Sequence, residues 1–307
     1  MMQTGESGAL VGFLAASVRV ATPLLLAATG ETVTERAGVI NLGLEGAMLG
    51  GALASALGAT SAGPWAGVAA GALAGAVVSA VFAGCVVGAR VNQIVAGTAV
   101  TLACVGLTGA IYRQAFGAAG AGLSLPTLGP VELPVLGALP IVGPALFSQP
   151  ALTYVAVAIV PLVWWGLYRT RWGLALRATG EAGPLARAAG VRVSLIRFWA
   201  TVFGGTLAGV AGASLVLAQV GTFAEKMTAG RGYVAIAIVV LGRWHPGGVA
   251  LAALLFGAAT ALQFLFQAMG LSLPYQFFLM FPYLVTLLAL ARVVGQVQAP
   301  AGLAVEE

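Results

Sequence analysis

One long polar segment interrupts a chain otherwise built of membrane-length apolar runs: RTRWGLALRATGEAGPLARAAGVRVSLIR, Arg169 to Arg197, which carries six of the fourteen basic residues. A loop this short and this basic is expected to stay on the cytoplasmic side of a bilayer. Its middle has a shape of its own: Gly180 permits a break, Glu181 lies where a helix N-terminus favours negative charge, and Gly183-Pro184 suits a helix start. The pattern predicts a short helix over Pro184–Ala189, ended by Gly190. So brief a helix has no core of its own and is stable only when something covers it. The residues alone leave open an ordinary solvated basic loop.

The runs on either side set the class. With 60% hydrophobic and 7% charged residues and a mean hydropathy of +1.01, 307 residues cannot surround a core with polar surface, so lipid must be the solvent. The expectation is an all-α, polytopic transmembrane bundle of about nine spans (8–10), forming a single domain over 1–307. Apolar stretches run Gly8–Gly30, Gly30–Ala59, Pro64–Gly88, Val91–Ile111, Leu152–Tyr168, Phe198–Val220, Gly232–Leu241, Val249–Met269 and Tyr275–Leu290. Arginines gather at alternate ends of these runs, which places the N-terminus outside and the C-terminus inside. The net charge of +5 is thereby explained by topology, and nucleic acid is not expected as a partner. The N-terminus lacks a positive segment ahead of its apolar part and does not read as a cleaved signal peptide. Cys85 and Cys104, without His or acidic neighbours, read as small packing residues.

Several positions depart from plain apolar helix. Arg19 stands inside the first run, where it is either buried between helices or marks an interfacial helix over residues 8–17. Glu31, Glu35 and Arg36 form a polar turn. Asn41 and Glu45 then fall four apart, on one helix face, among Gly38, Gly43 and Gly46, so a broken helix near 38–46 is expected there. A glutamate snorkelling at a helix end fits the same spacing. Gly67, Gly71, Gly75 and Ser79 make a strip for close helix contact. Asn92 and Gln93 open the next span, and a Pro-rich outer loop is expected over 113–150. Residues 232–241 either span or re-enter the membrane. His245 reads as a capping residue.

No phosphate-cradling GxxxxGK[ST], no HExxH and no Asp occur, so neither ATP hydrolysis nor metal chemistry is expected of this chain. Ion coupling requires buried ionisable groups, for which Glu45 and Arg19 are the candidates. A stand-alone secondary transporter or channel for a small solute therefore stays open.

Three stretches carry a resemblance: ATPLLLAATGETVTERAGVINLGLEGAMLGGA (Ala21–Ala52), GEAGPLARAAGV (Gly180–Val191) and GRGYVAIAIVVLGRWHPGGVALAALLFG (Gly230–Gly257). In order and spacing the chain resembles membrane subunits of bacterial ABC importers of the branched-chain amino acid and simple-sugar type, nearest the shorter permease of nucleoside uptake systems. The resemblance implies a bacterial inner-membrane permease for a small polar solute, nucleosides or simple sugars. Its implied partners are a separate ATP-binding subunit that carries ATP and Mg, a second permease and an extracytoplasmic solute-binding protein, in membrane lipid. This chain itself would bind no cofactor. Glu181–Gly190 would then be a coupling helix docking on the ATPase, with Gly180, Glu181, Pro184, Ala186, Arg187 and Gly190 as its residues. Asn41 and Glu45 would lie on or beside the solute path, with Asn92, Gln93 and Gln219 as weaker candidates.

Overall fold

The computed structural model describes residues 2–117, 124–132, 143, 146–268, 275–293 and 299–303. Apart from one short hairpin, the regular structure of these residues is helical, as a chain that must satisfy its own backbone in lipid requires. The helices are α1 (Met2–Arg36), α2 (Leu44–Ala62), α3 (Pro64–Ala83), α4 (Gln93–Phe116), α5 (Ala151–Arg169), α6 (Arg171–Glu181), α7 (Gly183–Ala188), α8 (Val193–Ser214), α9 (Arg231–Leu241), α10 (Pro246–Ala268) and α11 (Tyr275–Val293). α3 and α8 each end in a π-helical turn, Gly84–Gly88 and Leu215–Val220. The hairpin pairs β1 (Pro130–Glu132) antiparallel to β2 (Ser148–Pro150), which leads into α5.

Six helical stretches are long and apolar enough to cross a membrane: Leu10–Arg36, Pro64–Gly88, Gln93–Phe116, Ala151–Arg169, Val193–Val220 and Pro246–Gln267. The chain is thus an all-α, multi-pass membrane protein. The expected count of nine also needs α2, α9 and α11, which are not among these six.

The ends of the elements sort into two rims. Arg36 donates to the Trp244 carbonyl (2.9 Å) and to the Tyr168 hydroxyl (3.3 Å), and Arg197 donates to the Ala37 carbonyl (3.3 Å). These bonds bring the ends of α1 and α5, the start of α8 and the turn before α10 to one rim, which also carries Arg169, Arg171, Arg177 and Arg243. Trp164, Trp165, Trp172 and Trp199, partly or largely exposed, ring the same rim as an interfacial belt would. At the opposite rim Arg113 pairs with Glu225 at 2.7 Å, and the Pro-rich loop begins after Phe116 rather than at Arg113. Of its GPVELP stretch residues 129–132 are described and run into β1, whereas LPIVGP apart from Gly143 lies outside the described residues.

Burial of Arg19 between helices, one of the two readings, is not what the structure shows. α1 is one continuous helix in which Arg19 is exposed. It lies 17 residues before Arg36, about 25 Å along the axis, close to the thickness of the hydrocarbon layer.

The core is a three-helix weld of α2, α3 and α8, closed by α1. Gly51, Gly71, Gly75, Gly205, Gly209 and Gly212 bring backbone against backbone: a Cβ on Gly51 would lie 2.5 Å from the Gly209 Cα, and one on Gly75 would lie 2.7 Å from it. Only glycine permits that approach. The expected strip on α3 is thus one wall of the seam. Gly30 serves likewise, since its Cβ would lie 2.8 Å from the Gly204 carbonyl, and α1 continues through it unbroken.

Candidate functional site

Two helices begin inside the bundle rather than at a rim. α1 ends at Arg36, Gly38 turns the chain with φ +90°, and residues 37–43 run back without helix before α2 starts at Leu44. Every backbone N–H of this return is held. The Ile40 N–H donates to Gln93 Oε1 (2.8 Å), the Asn41 N–H to Glu31 Oε1 (2.7 Å), and Asn41 Nδ2 to Ser79 Oγ (3.2 Å). The Gly43 N–H donates to Asn41 Oδ1 (3.1 Å) and the Leu44 N–H to the Asn41 carbonyl (3.0 Å), so Asn41 nucleates the helix that follows.

Glu45, one residue into α2, reaches the second internal start. Its Oε1 accepts from the Thr228 hydroxyl (2.6 Å) and the Gly230 N–H (2.8 Å), and its Oε2 accepts from the Gly232 N–H (2.7 Å). The two N–H groups are orphan donors at the head of α9, so one carboxylate caps a helix that is not its own. Glu45 is only 6% exposed. Gly232 is required by the contact, since its Cβ would lie 2.6 Å from the Glu45 backbone. Gly230, with φ +83°, is the residue from which α9 starts.

Sequence reasoning missed two further acids. Glu31 and Glu35, expected in a polar turn, lie in the last turns of α1 and are fully buried. Glu31 holds the 37–43 return through Asn41, while Glu35 Oε2 accepts from the Trp244 indole N–H and so holds the turn between α9 and α10. Each leaves one oxygen, Glu31 Oε2 and Glu35 Oε1, without a partner. Their i, i+4 spacing, in phase with the apolar run before them, was the available signal.

The other candidates are scattered. Asn92 is the exposed N-cap of α4, accepting from the Ile94 and Val95 N–H groups. Gln93 is half-buried beside the 37–43 return, whereas Gln219, in the π-turn at the opposite rim, donates to the Arg19 carbonyl (2.7 Å). Asn41, Glu45 and Gln93 belong to one neighbourhood; Gln219 does not. His245 Nδ1 accepts from the Gly247 N–H (3.2 Å) at the head of α10.

The basic segment is more helical than expected. α6 runs through Gly180, and the break falls at Ala182, one residue between α6 and α7. Gly180 is instead a contact glycine, buried against the end of α1. Glu181 lies 3.9 Å from Arg36 and accepts from the Ala301 N–H (3.3 Å), while the Gly302 N–H donates to the Gly180 carbonyl (2.8 Å). The C-terminal segment 299–303 thus straps the α6–α7 joint. On α7, Ala186 is buried toward the bundle, whereas Pro184, Leu185 and Arg187 face outward, Leu185 being 73% exposed. Gly190, φ +85°, ends the element.

Residues 13–290 match the family described as the branched-chain amino acid transport system permease component. The chain belongs to that family. The permease is 35% identical over 289 residues to the nucleoside ABC transporter permease NupC of Lactococcus lactis, a match covering 91% of each chain. It is 32% identical over 290 residues to the guanosine ABC transporter permease NupQ of Bacillus subtilis, again with 91% of each covered. A Haloferax volcanii protein assigned as a glucose ABC transporter permease, TsgC13, is 37% identical over 267 residues, 85% of this permease and 80% of the relative. No solved structure matches. As an ABC transporter permease the chain is a transport component rather than an enzyme.

Proposed function

We propose that this permease forms, with a second identical or homologous permease, the membrane path of a bacterial inner-membrane importer for nucleosides, with simple sugars the nearest alternative. Solute is delivered by an extracytoplasmic binding protein. A separate ATP-binding subunit holds ATP and Mg, and this chain binds no cofactor. The chain crosses the membrane nine times: six long helices, α11, and two composite crossings in which residues 37–43 precede α2 and residues 221–230 precede α9. The arginine-rich rim is cytoplasmic. Relatives named for nucleosides and guanosine, matched over nearly the whole chain, support the solute class.

The observation that carries the reading is α7, a six-residue helix on a one-residue joint, presenting Leu185 at the arginine-rich rim. An exposed leucine on so short a helix fits a groove in another protein. Pro184, Arg187 and Gly190 shape the docking face, while Gly180, Glu181 and Ala186 seat it on the bundle. Asn92, Gln93 and Gln219 offer uncharged groups toward the path; Asn41 and Glu45 act by fixing the two internal helix starts beside it.

Leu185→Asp is expected to lower ATP-driven nucleoside uptake at least about tenfold, by desolvating a charge in an apolar groove, with unchanged membrane insertion. The ATPase should also cease to copurify. Ala186→Asp should instead reduce the amount of folded permease, because that side chain faces inward. Wild-type uptake by Leu185→Asp would remove α7 from the coupling role. Uptake of labelled guanosine and glucose by the reconstituted assembly separates the two solutes.

A further inference from the structure

A cavity of about 690 Å³ opens at the arginine-rich rim between the π-turn that ends α3 and the α7–α8 linker. Val87, Val191, Leu195 and Phe198 form its apolar wall, and Arg187 and Arg192 its basic side. The glycines of the π-turn differ from those of the seam: a Cβ on Gly84 or Gly88 would meet nothing within 4 Å, so this wall is not closed by protein. Arg192 is exposed and takes part in neither ion pair found among the described residues, which are Arg36–Glu181 and Arg113–Glu225. Leu195 and Trp199, on the first turns of α8, are 48% and 56% exposed, so the flank continues as apolar surface into the membrane layer.

Apolar wall, uncompensated cation and membrane rim together define one chemistry. A soluble anion would meet the arginines but gain nothing from the wall, and a neutral lipid would gain the wall but leave the guanidinium unpaired. We propose that this cavity binds an acidic glycerophospholipid, its anionic head group against Arg192 and Arg187 and the upper part of an acyl chain along Val87, Leu195 and Phe198. The lipid buttresses the linker behind α7 and meets the outward face of that helix only at Arg187.

The test is native mass spectrometry of the purified full-length permease, delipidated and then offered phosphatidylglycerol or phosphatidylcholine. Wild type is expected to retain phosphatidylglycerol about fivefold better than phosphatidylcholine. Arg192→Gln should abolish that preference and Arg192→Lys should keep it. Val87→Trp, which fills the wall and leaves the cations in place, should lower retention of both lipids. Equal retention of the two lipids by wild type, unchanged preference in Arg192→Gln, or displacement of the bound lipid by inorganic phosphate alone would overturn the proposal. So would capture of the same face by the ATPase subunit with the lipid expelled.

Discussion

Gly75→Val is expected to eliminate the folded permease, giving no monodisperse peak on size-exclusion chromatography of solubilised membranes. The atoms that a Gly75 side chain would meet are the Gly205 carbonyl and the Gly209 backbone N and Cα, the last two at 2.7 Å. Overpacking a core ordinarily costs about 1–3 kcal/mol because side chains can shift. Here no neighbouring side chain is able to yield, and three helices would have to part along the seam. The loss therefore approaches the whole of an ordinary stability of about 5–15 kcal/mol. Gly106→Val is the matched control: that glycine is exposed on α4 with nothing within 4 Å of its would-be Cβ, so its peak should equal wild type. A normal peak from Gly75→Val would mean that the seam is not the core.

The second large effect is expected at Glu45. Glu45→Ala leaves the Gly230 and Gly232 N–H groups and the Thr228 hydroxyl without their acceptor. Each buried donor left unmade costs about 1–3 kcal/mol, and the three together detach the head of α9 from α2. Glu45→Gln keeps one acceptor oxygen but sets its amide N–H₂ against a backbone N–H, so an intermediate loss is expected. The measurement is the thermal unfolding midpoint in detergent, without solute. If Glu45 serves only to contact solute, Glu45→Ala should unfold at the wild-type temperature, and the capping role would fail.

How much of this was readable beforehand depends on what each glycine is for. Hydropathy sufficed for the class and for the Pro64–Gly88 span, because burial in lipid demands nothing finer than a long apolar run. The Asn41–Glu45 spacing marked the internal start of α2. Glycine, however, has two opposite uses: it bends the backbone where φ is positive, and it thins a helix where another backbone must come near. Gly38, Gly190 and Gly230 are of the first kind; Gly30, Gly180 and Gly75 are of the second. Taking Gly180 for a breaker misplaced the joint by two residues. Treating the segment after Gly30 as a polar turn hid Glu31 and Glu35, whose burial follows only once α1 continues to Arg36. The cap that Glu45 places on α9 was also beyond reach, since its partners lie more than 180 residues downstream.

Residues 299–303 give the α6–α7 joint a place in time as well as in space. The Gly180 carbonyl and the Glu181 carboxylate wait for partners that leave the ribosome after α1–α11 have been made. A nascent chain cut short before Pro300 would carry α1–α11 and still lack the fastening under α7. The α6–α7 joint is thus fastened only after α11 has been made, and a copy ended before Pro300 would sit in the bilayer with that joint unlatched.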